Sequence, residues 1–253
     1  MQPGGIERWL ESLEERHLRE LTFPEVRRAL QALSALYIGG RDKLPGGVAL
    51  EGRGKRAAFA LFYAPLHFLT TADVVRELGW NRPGAPRRIL DLGCGTGAAG
   101  AAWALGCGAA LLGIDRSGWA LEEAAWTWRA LHLRGAARRG DLSLLPLRAG
   151  EGVIAGWSLN ELPHAERETL LPRLLGTGGP VLILEPIARG PVPWWKRWSD
   201  AFRAAGGEDR EWRFRSQLPD LLARLDRAAG LDHRERRARS LSLWSTGTRS
   251  APR

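Results

Sequence analysis

Apolar side chains recur at helical spacing over the amino-terminal part of the chain and in short strand-like runs beyond it. Ile6, Trp9, Leu10 and Leu13 fall on one helical face, with Glu11, Glu14, Glu15 and Arg16 opposite. Pro24 suits the first turn of a second helix with Thr22 as its cap. Val26, Leu30, Leu33 and Leu36 then line one face until Gly39-Gly40 ends it. Asp42 to Gly54, with Pro45, Gly46, Gly47, Gly52 and Gly54, reads as a loop. A third helical region starts near Lys55 and carries Phe59, Phe62 and Tyr63. Pro65 bends or restarts it, and Leu66 to Leu78 continues to a stop at Gly79. Asn81 to Pro86 is a boundary, so residues 1–80 form a helical region and 81–253 a second domain.

From Arg87 strands and helices alternate, the pattern of a parallel sheet with helices on both faces. Strands are expected at Arg88 to Asp91, Ala110 to Asp115, just before Asp141, Gly152 to Ser158 and Val181 to Glu185. Helices are expected at Ser117 to Leu133, capped by Ser117, and at Pro163 to Leu175. Residues 188–215 read as an insertion rich in tryptophan and arginine, partly helical around Trp194 to Ala205. Leu218 to Ala229 is a further helix, and His233 to Trp244 a closing strand or strand pair.

The first of these strands ends in Asp91-Leu92-Gly93-Cys94-Gly95-Thr96-Gly97, followed by the small apolar run Ala98 to Leu105. Strand, glycine loop and helix open a nucleotide-binding βαβ unit, because glycines let the backbone turn sharply and approach a ligand. Gly93, Gly95 and Ala98 also satisfy the dinucleotide fingerprint. Asp91 argues against that ligand, since a carboxylate beside a pyrophosphate is repelled by it. S-adenosylmethionine carries no phosphate and has a cationic end that an acid can face. The stretch resembles motif I of the class I S-adenosylmethionine-dependent methyltransferases. That resemblance implies an α/β, Rossmann-like, doubly wound, mostly parallel sheet with an amino-terminal helical extension, and Asp91, Gly93, Gly95 and Gly97 as cofactor contacts.

Asp115, about twenty residues past the glycine loop, is placed to accept bonds from ribose hydroxyls, or else is a charge at a helix start. Asp141 falls where these enzymes set an acid against the adenine amino group, although Gly-Asp also makes ordinary turns. Trp157, where the fourth strand runs out, either offers its ring face to the sulfonium or packs in the core. Asn160 and Glu161 could orient a nucleophile or take its proton, Glu161 equally being a helix-start charge. His164 and Glu185 are further bases, and Tyr63 and His67 could reach in from the amino-terminal helices. The Asn/Asp-Pro-Pro-aromatic loop used on base amines is replaced by Asn160-Glu161-Leu162-Pro163. No Pro-Cys nucleophile exists, as neither Cys94 nor Cys107 follows a proline.

Composition adds constraints. Two cysteines provide neither a disulfide framework nor a four-cysteine metal site and suit a reducing cytoplasm; no metal is expected. The amino terminus lacks a charged-then-apolar leader. The longest uncharged stretch, Ala98 to Ile114, is broken by Gly106 and Gly108, so no membrane span is expected. The net charge of +9 can attract phosphates, although lysine occurs only at Lys43, Lys55 and Lys196 and the arginine excess matches a general composition bias.

Three further stretches carry a second resemblance: Tyr63-Ala64-Pro65-Leu66, Ser158-Leu159-Asn160-Glu161-Leu162-Pro163, and Leu182-Ile183-Leu184-Glu185-Pro186 with Arg189-Gly190. They are similar to the ribosomal small-subunit methyltransferase-like family. This implies a role on ribosomal RNA or a ribosomal component. Several members of that family carry cysteines for an iron–sulfur cluster; this chain has no such set. Trp194, Trp195, Lys196, Arg197 and Trp198 then read as an RNA platform or as a lid over a small acceptor. Arg234, Arg236, Arg237 and Arg239 read as a solvated edge strand. Three functions stay open: a methyltransferase on a ribosomal target, a small-molecule methyltransferase, and a non-catalytic RNA-binding assembly factor.

Overall fold

A computed structural model describes residues 5–39, 50–83, 86–142, 147–187 and 192–244. Most of the Asp42 to Gly54 loop, Gly84 of the boundary and Arg189-Gly190 lie outside the described residues.

The amino-terminal helices form as their periodicity predicts. α1 (Gly5–Leu18) buries Trp9, Leu10 and Leu13, and α2 (Phe23–Gly39) buries Val26, Leu30 and Leu33. The Glu25 carboxylate closes the start of α2, accepting from the Thr22 backbone N–H and hydroxyl at 2.7 Å each. The third helical stretch does not stop at Pro65. It runs from α3 (Arg53–Ala58) through a π-turn, Phe59–Tyr63, into α4 (Ala64–Glu77). Proline has no N–H to donate and its ring crowds the carbonyl four residues back. The wider π-turn just before Pro65 lets the helix continue past it. By length and composition residues 53–77 could cross a membrane, but 67% of their most apolar window is buried inside the protein.

Seven strands follow in the order β3-β2-β1-β4-β5-β7-β6. β1 (Arg88–Leu92), β2 (Ala110–Asp115), β3 (Gly135–Arg139), β4 (Gly152–Gly156) and β5 (Val181–Glu185) are parallel. Between them run α5 (Ala98–Cys107), α6 (Gly118–Ala130) and α7 (His164–Leu175), and Ser117 caps α6, accepting from Ala120 N–H at 3.3 Å. α8 (Trp195–Ala204) and α9 (Asp220–Ala229) flank β6 (Glu208–Arg215), and the chain then enters β7 (Glu235–Leu243). β7 inserts antiparallel between β5 and β6. Residues 208–215 are thus part of the sheet, which corrects their assignment to an insertion. β6 escapes the apolar pattern because it is the outer strand, so Arg210, Glu211, Arg213 and Arg215 meet solvent.

Alternation along the central strands divides the core. Ile89, Ile154 and Leu182 face one cluster, shared with α5, α6, α9 and the buried side chains of α1 to α4. Leu90, Val153 and Ile183 face the other, shared with α7 and α8. The helical extension therefore shares a hydrophobic cluster with one face of the sheet.

Candidate active site

β1, β2, β4 and β5 run in the same direction, so the loops that follow them meet at one edge, where open α/β sheets bind ligands. The loop after β1 is built on left-handed glycines: φ is +65° at Gly93, +51° at Gly95 and +75° at Gly97. They serve different ends. A Cβ on Gly93 would stand 2.5 Å from the Ser158 Cβ, and one on Gly97 2.5 Å from the Trp128 Nε1. A Cβ on Gly95 would meet nothing within 4 Å. Two of the three thus admit neighbouring protein atoms, and only Gly95 faces open space.

Trp128, buried on α6, is the residue that sequence reasoning missed. Its ring lies where side chains of Gly97, Gly113 and Gly135 would be, 2.5 to 2.6 Å from an added Cβ at each, and its Nε1 donates to the Gly97 carbonyl at 2.9 Å. One indole therefore sets the height of the glycine loop above β2 and β3. The dependence on three distant glycines left no local signal.

The acids divide likewise. Asp91 turns inward: it is 1% exposed, and its Oδ2 accepts from the Gly100 N–H in the first turn of α5 at 3.0 Å. Burial pushes its carboxyl up from 3.8 to about 7; the Gly100 N–H opposes this and the Asp115 charge adds to it. Asp91 thus braces the loop from beneath rather than projecting into a groove, which departs from the expected direct contact with a cation. Asp115 faces the loop itself, accepting from Gly95 N–H at 2.9 Å and Ser117 N–H at 2.8 Å. Gly140 N–H donates to the Asp115 carbonyl at 3.3 Å, which brings Asp141 to the same side, where the Arg116 guanidinium stands 3.7 Å from its carboxylate.

Ser158 ties the loop after β4 to the glycine loop, its hydroxyl donating to the Leu92 carbonyl at 2.7 Å. Trp157 beside it is half-buried with φ +57°, a left-handed backbone on a bulky residue. The His67 ring lies on it with centroids 3.9 Å apart and planes 4° apart. This joins α4 to the sheet edge, as the sequence had suggested for His67.

Asn160 and Glu185 meet, but in a lock. The Asn160 amide donates to Glu185 Oε2 at 2.5 Å and accepts from Trp194 Nε1 at 3.2 Å. Glu185 is fully buried, so this pair fastens the segment before α8 to the ends of β4 and β5. Arg167 closes the lock from α7, donating to the carbonyls of Leu159 and Leu162. Glu161 is exposed on the 3₁₀ turn Leu159–Glu161, and His164 is exposed at the start of α7.

Two other expectations are corrected. Trp194, Trp195 and Trp198 are at most 7% exposed and belong to the core beneath α8, so they form neither an RNA platform nor a lid. β7 is not an edge strand: Arg236 is buried against Asp73 at 2.6 Å, and the Arg239 guanidinium lies 4.3 Å from the Trp195 ring centre.

The residues fit the ligand that the glycine motif implies. Gly95 leaves room above the loop, the oriented Asp115 carboxylate retains acceptor capacity for hydroxyls, and the Trp157 ring suits a cation. Among the described residues no cluster could hold a metal ion.

Residues 89–177 match the family described as methyltransferase domain, and this segment is such a domain. The chain is 34% identical over 176 residues to trans-aconitate 2-methyltransferase of Pseudomonas aeruginosa. That alignment covers 65% of this chain and 58% of the relative's length. Among solved structures, a magnesium protoporphyrin IX methyltransferase from Synechocystis with bound S-adenosylhomocysteine is similar at 15% identity and TM-score 0.49, over 85% of this chain and 100% of that one. A methyltransferase from Thiobacillus denitrificans in complex with S-adenosylhomocysteine is similar at 18% and 0.45, over 71% and 90%.

Proposed function

We propose that this chain, with its methyltransferase domain over residues 89–177, transfers a methyl group from S-adenosylmethionine to a small organic acceptor. The observation that carries this is the coincidence of that domain with a glycine loop whose Gly95 faces open space and is bracketed by Asp115. The cofactor would supply an activated methyl group on a sulfonium. The chain's own work is then alignment. Gly95 gives access, Asp115 takes the ribose hydroxyls, Asp141 lies at the adenine end, and Trp157 borders the cation. Asn160 and Glu185 act here as positioning residues that hold the wall of the site, rather than as bases.

The small-molecule reading is favoured over a ribosomal one because the likeness in sequence is to an enzyme of a small carboxylic acid. In addition, much of the arginine is engaged within the protein, as in Arg16–Glu123, Arg236–Asp73 and Arg197–Glu168. We read residues 1–80 as a helical head on a catalytic domain, 81–253. Two buried free thiols, Cys94 and Cys107, support a reducing compartment such as the cytoplasm.

Calorimetry decides the cofactor. S-adenosylmethionine and S-adenosylhomocysteine should bind, NAD should not, and Asp115→Ala should weaken binding by at least tenfold. Binding of NAD alone, or of none of them, overturns the proposal. Methyl-labelled cofactor with fractionated lysate should place label in the low-mass fraction; label in RNA would restore the ribosomal acceptor.

A further inference from the structure

A cleft of about 750 Å³ lies between α1, α3 and α6, and none of the residues assigned to the cofactor lines it. Cavities of this size commonly hold small molecules. Its long wall is α6, on which Trp119, Glu123 and Trp126 recur at helical spacing and share one face. Five arginines line the cleft against three glutamates. Two of those glutamates are already answered. Glu123 is buried and meets the Arg16 guanidinium at 2.8 Å and His17 Nε2 at 3.3 Å, and Glu20 pairs with Arg53 at 3.1 Å. Among the described lining residues, Glu15 is then the one acid set against Arg19, Arg56 and Arg129. No ion pair or side-chain hydrogen bond engages Arg19 or Arg129 among the described residues. The two tryptophans stiffen the site. Trp119 is half-buried yet packs in neither hydrophobic cluster. The Arg56 guanidinium lies over its ring at 5.6 Å, and Arg56 Nε donates to the Leu50 carbonyl at 3.1 Å. Arg16 lies over the Trp126 ring at 5.1 Å. An arginine held on a ring has already lost side-chain freedom, so an incoming anion immobilises less.

We infer that this cleft is a second ligand site and takes a compact, phosphate-bearing anion. It is not the place of the methyl donor, which carries no phosphate. Guanidinium groups reach the cleft from three elements: Arg19 just past the end of α1, Arg56 on α3 and Arg129 on α6. A tetrahedral phosphate offers oxygens in several directions and suits that arrangement, whereas a carboxylate offers two oxygens in one plane. The acids Glu11, Glu14 and Glu15 continue along α1 beside the cleft. They repel a long polyanion such as RNA, while a small anion stays within the positive zone.

The test is calorimetry on the full chain at about 0.15 M salt, where exposed charges are screened. The probes are inorganic diphosphate, ADP in the presence of saturating S-adenosylhomocysteine, and succinate as a dianion without phosphate. One diphosphate per chain should bind, at least tenfold more tightly than succinate. Diphosphate carries no adenosine, so this result does not depend on the cofactor proposal. ADP tighter than diphosphate identifies a nucleotide as the source of the phosphates, and ADP no tighter identifies the free anion. Arg19→Gln and Arg129→Gln should each weaken diphosphate at least fivefold. Both residues are exposed and unpaired, so the variants keep the fold, which circular dichroism checks. Arg213→Gln on β6, at the far edge of the sheet from β3 and α6, removes the same charge and should leave binding unchanged. Failure of diphosphate to bind, succinate within tenfold of it, indifference to both cleft variants, or an equal loss in Arg213→Gln overturns the inference. Oligouridylate that binds more tightly than diphosphate and fails in the same two variants assigns the cleft to RNA and overturns it as well.

Discussion

Asp91→Asn should make the protein more stable at neutral and alkaline pH, by an amount the structure sets. The wild-type carboxyl is 1% exposed and holds its proton up to about pH 7, against an ordinary value of 3.8. In the unfolded chain it ionises near the ordinary value. The folded pKa is thus the higher one, so the group's favourable contribution is complete below about pH 3.8 and is lost as pH rises through about 7. The displacement is roughly three pH units, and at about 1.36 kcal/mol per unit the loss is about 4 kcal/mol. Asparagine has no charge to bury and can still accept from the Gly100 N–H, so the variant escapes the loss. Urea unfolding of both proteins at pH 5 and pH 8 measures this. The unfolded carboxyl is already ionised at pH 5, so only about 2.6 kcal/mol of that loss falls between pH 5 and pH 8. With a slope of roughly 2–3 kcal/mol per M, the variant's midpoint should gain roughly 1 M on the wild type between the two pH values. Other carboxylates titrate alike in both proteins and cancel. Parallel midpoints at the two pH values, or a wild type that gains on the variant, would refute the account of Asp91 as a buried brace.

Other outcomes follow from the same geometry. Gly95→Ala should cost only about 1–2 kcal/mol for its left-handed backbone while weakening S-adenosylhomocysteine binding at least tenfold by calorimetry, because the new methyl enters open space above the loop. Gly113→Ala should instead cost about 1–3 kcal/mol in denaturant midpoint, since its Cβ would press on Trp128 and on the Cys94 sulfur at 2.6 and 2.8 Å. Asn160→Ala should destabilise by about 1–3 kcal/mol by removing a donor from buried Glu185. Asn160→Asp should cost more, because it sets a second carboxylate against the first, and differential scanning calorimetry ranks the pair.

The order of elements, the glycine loop and the acid at the end of β2 were legible in the linear pattern of residues. Each depends on neighbours in the chain: the period of apolar residues, a cap such as Ser117, a turn that needs positive φ. Even the helix through Pro65 was half legible, since proline signals an irregularity without saying which kind. What each polar or aromatic group faces was set by long-range packing. Trp194, Trp195 and Trp198 carry lysine and arginine between them in sequence, yet their burial depends on β5 and β7 closing over the other face of α8. Arg236 and Arg239 belong to an arginine run, but β6 paired outside β7 moved that strand from the edge to the interior. Asp91 shares its motif with Asp115, and only the packing of α5 on β1 turned one acid inward and left the other beside the loop. Local pattern depends on covalent neighbours, whereas burial and partnership depend on residues up to a hundred or more positions away.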